Sequence, residues 1–381
     1  MKKRVFAILL LIFLGFSTIT PHTLGLGNST TIQSSGLIDY PQTEGTPNMI
    51  HGAWLPPAWC VYPNIHDGSG GLQSKVYNLL DWYESIGIDT FVLCFSRFIF
   101  DSATPTASLE NPVGSEQLDQ KYLALIEKLV DEAYDRGMRT ILYEWFVDDY
   151  PWEWLRTGSQ AQFNAKIADW TTFYRNLMTH FRGNSKVLGI IPCGNTDRFC
   201  QSGNPWGYTD ADVYNGNASP TWLAAMETLA AGIHQGDPTK IFFFKPMPDF
   251  GDFWCSWTSP ISASGPVYYH VMTGFIHDEI YDSYYPYTSE FVNIINWKNS
   301  YNVEVLQELI IEGEEMGWGS GWTWDNAHLN WLNSFLPRLE SDGFNWYWES
   351  LYDPSNSLDR RGNEGSTGER SFVQYIRDHL G

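Results

Sequence analysis

Between residues 49 and 380, short apolar runs take turns with longer stretches of helical periodicity. The short runs fall at 49–54, 90–95, 140–145, 187–192, 240–245, 266–271, 303–309 and 343–348. The amphipathic stretches fall at 73–86, 118–136, 161–181, 220–234, 288–299, 325–341 and 369–380, with no clear helix in 246–265. Strands that alternate with helices pair in parallel, because the return path of each strand is taken by a helix on the sheet's face. Eight such units in about 300 residues fit an α/β fold of the (β/α)₈ TIM barrel kind. A doubly wound open sheet is the competing arrangement. It usually needs a glycine-rich phosphate loop after the first strand, where this chain has Pro56-Pro57-Ala58-Trp59.

The punctuation agrees. Gly87, Gly137, Gly183 and Gly236 each follow an apolar-periodic run and precede a strand, the place of a left-handed helix cap. Leu118, Tyr122, Leu125, Leu129 and Ala133 recur at helical spacing with charges between them.

Domain organisation is read from the ends inward. Lys2, Lys3 and Arg4 followed by an apolar run to Phe16 predict a secretion signal over residues 1–25. The run is short for a bilayer span, and an uncleaved anchor is the alternative. Residues 26–48 read as a polar, flexible linker and 49–381 as one barrel domain. No later stretch is long and apolar enough to cross a membrane, so the mature chain is expected to be extracellular, without stable membrane insertion. Asn28-Ser29-Thr30 and Asn217-Ala218-Ser219 match the N-glycosylation pattern of exported proteins.

A formal net charge of −21, from 44 acidic and 23 basic residues, argues against nucleic acid and anionic membranes as partners. The 18 Trp and 21 Tyr suit a sugar-binding cleft, where flat rings cover pyranose faces. Of Cys60, Cys94, Cys193, Cys200 and Cys255, Cys94 lies in an apolar run and reads as a buried small hydrophobe. Cys193 and Cys200 flank a loop and are candidates for a disulfide. No CxxC spacing points to zinc, and Asp148-Asp149 with Glu153 lacks the order of a calcium loop. No P-loop, HExxH or GxSxG is present, and no cofactor or metal is expected.

In a barrel the chemistry gathers at the C-terminal strand ends. The first strand is read as delivering His51 and Trp54 there, the second Arg97, and the third Glu144. The fourth is followed by Asn195, Thr196 and Asp197. The sixth brings Tyr268, Tyr269 and His270, the seventh Glu308, and the eighth Trp346, Trp348 and Glu349. Glu308 carries the most weight. An ionised side chain ending an apolar strand is costly to bury unless it serves a site or an ion pair.

Here the chain resembles the cellulase-type glycoside hydrolases of family 5. The carriers are Phe173-Tyr174-Arg175-Asn176-Leu177 with 180–189, Tyr268-Tyr269-His270, 299–308, and Gly343-Phe344-Asn345-Trp346-Tyr347-Trp348. The resemblance implies a retaining glycosidase acting on a β-linked poly- or oligosaccharide. Glu308 would be the nucleophile, held ionised by Arg97 or His270, with Asn195, Trp54 and Trp348 as further sugar contacts. The family ends its fourth strand with Asn-Glu, the Glu being the acid/base. This chain has Asn195-Thr196-Asp197, so Thr196 stands at the acid position. Asp197 and Glu144 are the two remaining candidates for the acid. Retention requires the two carboxyl groups about 5–5.5 Å apart. Two alternatives stay open: a non-catalytic carbohydrate-binding barrel that lost the acid, and a barrel glycosidase of another family. The second is suggested by Gly87-Ile88-Asp89-Thr90-Phe91-Val92-Leu93, which resembles the endomannosidase-like group. A monomer is expected.

Overall fold

The structure is a computed structural model that describes residues 49–55, 71–95, 97, 109, 115–144, 159–192, 219–244, 260–273, 289–310, 336–349 and 380. The expected signal and linker, Asn217, and four of the five cysteines lie outside these residues. Among the described residues, no helix is long and apolar enough to cross a membrane.

The strands are β1 (His51–Leu55), β2 (Thr90–Phe95), β3 (Arg139–Glu144), β4 (Val187–Ile191), β5 (Ile241–Phe244), β6 (Val267–Thr273), β7 (Glu304–Ile310) and β8 (Asn345–Glu349). They close into a barrel in sequence order, β8 pairing in parallel with β1. Between them run α1 (Gly71–Ser85), α2 (Gln120–Asp135), α3 (Gln160–His180), α4 (Ser219–Gly236) and α5 (Ser289–Tyr301), and a further helix runs through 336–341. Each expected strand is present within a few residues. The described part of the β5–β6 connection, 260–266, is not helical, as its sequence suggested.

Local chemistry explains the helix ends. Asp119 caps α2 by accepting from the Tyr122 amide at 2.8 Å. Ser159 and Gln162 form a reciprocal capping box on α3. Each such cap contributes about 1 kcal/mol by satisfying orphan amides. α2 buries Tyr122, Leu123, Ile126, Leu129, Val130 and Ala133. Gly87, Gly137 and Gly183 have φ of 85°, 79° and 72°, as left-handed caps do.

Gly236 departs from the expectation. It is the last residue of α4 and has no positive φ. Its requirement is space: a Cβ there would stand 2.6 Å from the Arg175 carbonyl oxygen and 2.7 Å from Met178 Cβ, both on α3. One turn earlier, a Cβ on Gly232 would meet Thr171 Cγ2 at 2.4 Å. Bare backbone at both positions lets α3 and α4 approach closely.

Contacts between non-adjacent strands define the barrel lumen. Tyr143 of β3 and His270 of β6 bring their ring centroids to 6.3 Å, although β4 and β5 separate them around the wall. Both side chains therefore point inward. Alternation along each strand then assigns the rest. Tyr269, next to His270, turns outward onto Trp297 of α5 at 4.9 Å. Cys94 is buried in β2, as read from its surroundings.

A bulge in the β3–β4 pairing makes Leu188 an extra residue: Thr140 pairs with Val187, but Ile141 pairs with Gly189. Gly189 follows it where β5 comes close, and a Cβ there would lie 2.0 Å from the Ile241 carbonyl oxygen.

Candidate functional site

The lumen holds a polar cluster where an all-apolar core would suffice for stability. β6, β7 and β8 each supply one member: His270, Glu308 and Tyr347, all fully buried. His270 pairs with Leu306 in register, and Glu308 with Tyr347. The three therefore share a side of the sheet on neighbouring strands. His270 Nε2 lies 3.0 Å from Glu308 Oε2 and 2.8 Å from Tyr347 Oη. The imidazole and phenol rings are inclined by only 30°, with centroids 5.6 Å apart. Gly52 of β1 gives Tyr347 its room, since a Cβ at Gly52 would stand 2.6 Å from Tyr347 Cβ. The imidazole thus stands at ion-pair distance from the Glu308 carboxylate where water is excluded, and charge acts more strongly there than in water. Such a buried, oriented carboxylate is chemically suited to attack an electrophilic carbon or to hold a cation.

Nearer the N-terminal end of β8, Asn345 ties the wall together. Its Oδ1 accepts from the Ile50 amide at 2.9 Å, and its Nδ2 donates to the Val305 carbonyl at 3.2 Å. Gln307, adjacent to Glu308, donates to the Val271 carbonyl at 3.3 Å.

A second polar cluster lies on the other side of the wall, between β2, β3 and α3. Arg97, wholly buried, pairs with Asp169 of α3 at 2.9 Å and lies over the Phe173 ring at 4.6 Å. Tyr174 Oη donates to Glu144 Oε2. Because Tyr174 belongs to α3, this contact turns the Glu144 carboxylate toward the helix layer.

No family model matches the sequence, and no curated protein matches it. Solved structures do. A GH5-4 broad-specificity endoglucanase from Clostridium acetobutylicum superposes with a TM-score of 0.58 at 12% identity, over 87% of this chain and 97% of that one. Its counterpart from Clostridium cellulovorans gives 0.57 at 14% identity, over 87% and 94%. An endoglucanase of Pseudomonas stutzeri in complex with cellobiose gives 0.54 at 16%, over 89% and 94%. The barrel has the fold of the family 5 endoglucanases. The likeness is one of backbone, at identities that leave the side chains to speak for themselves.

The sequence-derived residues divide three ways. Glu308 and His270 meet in the lumen. Arg97 and Glu144 meet α3 on the outer side. Asn195 and Asp197 lie outside the described residues, as do the side chains of Trp54, Trp348 and Glu349. Trp54 pairs in register with Val92, and Trp348 with Ala53 and Leu309.

Besides Tyr269, which turns outward onto Trp297, two readings of the strand ends are corrected. His51 opens β1 at the N-terminal end of the barrel, where its Nδ1 lies 3.1 Å from Asp89 Oδ2. Trp346 turns outward: its ring contacts His51 at 5.3 Å and its Nε1 donates to Glu340 Oε1 at 3.1 Å. It is packed between wall and helix. Tyr347, passed over between two tryptophans, is the β8 side chain that reaches the lumen. Tyr143 was missed in the same way. Strict alternation puts Tyr347 on the same side as Asn345, but nothing in the sequence says which side that is.

Proposed function

We propose that this chain is a secreted glycoside hydrolase that cleaves a β-linked glucan or oligosaccharide with retention at the anomeric carbon. The observation that supports this reading is the Glu308 carboxylate on the lumen side of β7, 3.0 Å from His270 Nε2, in a barrel of endoglucanase fold. In the proposed first step a Glu308 oxygen attacks the anomeric carbon. The bond to the leaving oxygen breaks, and a carboxylic acid gives that oxygen its proton. In the second step the same group, now a carboxylate, takes a proton from water, and water displaces Glu308. Asp197 is the better-supported acid, because the Glu144 carboxylate engages Tyr174 on the helix side. Arg97 is held by Asp169 and Phe173 of α3, so the role of holding Glu308 ionised passes to His270. Asn195, Trp54 and Trp348 would hold the sugar. The reaction as proposed needs no cofactor or metal. A monomer suffices, since every proposed group comes from one chain.

A second reading has one specific feature in its favour: Thr196 stands where the resemblance places the acid. A barrel that binds glycan without cleaving it would explain that residue. The two readings separate on purified protein offered β-glucans and aryl β-glycosides. A hydrolase turns these over, Glu308→Gln reduces turnover to background, and Asp197→Asn lowers it by roughly 10²–10⁴-fold. Binding without turnover favours the second reading. Unchanged turnover in Glu308→Gln removes Glu308 from its role. A sharp loss in Glu144→Gln with none in Asp197→Asn transfers the acid to Glu144.

A further inference from the structure

We infer that residues 260–266, which lead into β6, form an acid-released strap. They close over His234 while its imidazole is neutral and lift from α4 when the ring takes a second proton. The inference stands apart from the reading of Glu308. His234 lies in the last turn of α4 and is 4% exposed. Its cover is backbone. A Cβ on Gly265 would stand 2.7–2.8 Å from three atoms of the ring, so only glycine lets the strap lie flat there. The ring's Nε2 lies 3.3 Å from the Pro266 carbonyl oxygen, which also accepts from the Phe242 amide at 3.0 Å. A carbonyl oxygen can only accept, so Nε2 carries a proton and donates. In the neutral ring Nδ1 is then a lone pair, and it is buried without a hydrogen-bond partner.

A proton on Nδ1 would place a full charge in this covered seat. The charged groups around it come from three places. Asp237 and Lys240 stand on the turn after α4, and Glu227 lies two turns earlier on α4. Arg182, just past α3, donates to the Gly236 and Gln235 carbonyls at the end of α4. Burial pushes the imidazole below its ordinary 6.5 and outweighs the Pro266 and Lys240 carbonyls and the Asp237 charge, which favour the proton. The covered ring therefore stays neutral at a pH where an uncovered ring is charged. As pH falls below 6.5 the uncovered form binds the proton first, so acid favours release. Of the two elements that enclose the ring, the strap yields first. α4 is anchored by Trp222, Met226, Leu229 and Ile233, all buried. The strap is tied by the Ile261 amide to Tyr269 Oη at 3.0 Å and by the Ser262 amide to the Glu227 carboxylate at 2.9 Å, the latter exposed. A short segment with few buried contacts opens at less cost than a packed helix. Release also frees the start of β6, the strand that bears His270.

Amide hydrogen exchange of the whole chain tests this, read as protection factors so that the intrinsic pH dependence of exchange is divided out. Between about pH 7.5 and 5.5, protection of the Ile261 and Ser262 amides should fall roughly 3- to 10-fold, uptake of one proton setting a limit of about ten-fold per pH unit. Amides of β2 should change less than about two-fold. His234→Gln keeps an N–H for the Pro266 carbonyl but cannot titrate, and its Ile261 and Ser262 amides should hold their protection. Glu227→Gln keeps an acceptor for the Ser262 amide and should respond to acid as the wild type does. Protection that holds in the wild type, an equal loss in His234→Gln, or a loss abolished by Glu227→Gln overturns the proposal. So does a loss of the same size in β2, which would be unfolding of the whole barrel. Should His234→Gln fail to fold, ¹⁵N NMR of histidine-labelled wild type decides. At about pH 6 His234 should be neutral with its proton on Nε2, and a charged ring or a proton on Nδ1 overturns the proposal.

Discussion

Substituting Asp237 tests how the N-terminal end of the barrel is held. Asp237 follows α4 and is almost wholly buried. Its carboxylate accepts from the Gly183 amide at 2.9 Å, the Thr239 amide at 2.9 Å and the Thr239 hydroxyl at 2.7 Å. Lys240, three residues on and also buried, sends its ammonium to the Asn184 and Val187 carbonyls at 2.5 and 2.8 Å, with Asp237 at 3.8 Å. The pair thus clamps the turn into β4 against the turn into β5. Asp237→Ala strips two amides of their acceptor and leaves a buried ammonium without its counter-charge. Breaking such a pair costs about 3–5 kcal/mol. Asp237→Asn keeps the shape and one acceptor oxygen but loses the charge, and should cost roughly 1.5–3 kcal/mol. Lys240→Met removes the stranded cation, so Asp237→Ala with Lys240→Met should cost less than the two single changes summed. Urea denaturation at neutral pH, followed by tryptophan fluorescence, measures each value. An Asp237→Ala variant within about 1 kcal/mol of wild type would refute the reasoning, because it would mean that water replaces every lost partner.

Two more expectations follow from the same region. Gly232→Ala should lower stability by at least 1–3 kcal/mol, as overpacking does, because the new methyl group would meet Thr171 Cγ2 at 2.4 Å; a melting temperature equal to wild type would deny the close α3–α4 crossing. Acid should weaken the fold in two stages. Burial holds the His234 imidazole below its ordinary 6.5, so on acidification the unfolded chain takes up a proton there before the folded chain does, and stability falls as pH drops from about 6.5. Burial alone would raise Asp237, but the Thr239 and Gly183 amides and the Thr239 hydroxyl bring it below its ordinary 3.8. Its contribution is present above that value and is lost as pH falls through the folded one. Denaturation midpoints that are flat from pH 7 to pH 5 and steepen only below about 4 would remove His234 from this account.

Much of the barrel was legible in the chain itself. The alternation of apolar runs and helical periods reflects steric preference and burial acting over a few residues, and those forces are written locally. So are the left-handed glycines at Gly87, Gly137 and Gly183 and the capping box at Ser159. Gly236 was misread because close packing and positive φ both favour glycine, and only the neighbouring helix tells them apart. The facing of each strand residue was not legible. A parallel strand covered by helices outside and filled by side chains inside is apolar on both sides, so hydropathy carries no alternation to read. Glu144 and Glu308 both end apolar strands, yet one turns to Tyr174 on α3 and the other to His270 in the lumen. Trp346 was read as a strand-end residue of the site and Tyr347 was passed over, but closure of the ring turns Trp346 outward and Tyr347 into the lumen. His270 and Tyr347 lie 77 positions apart in the chain. Their hydrogen bond exists only because eight strands close with one register, and no local run of residues encodes that closure.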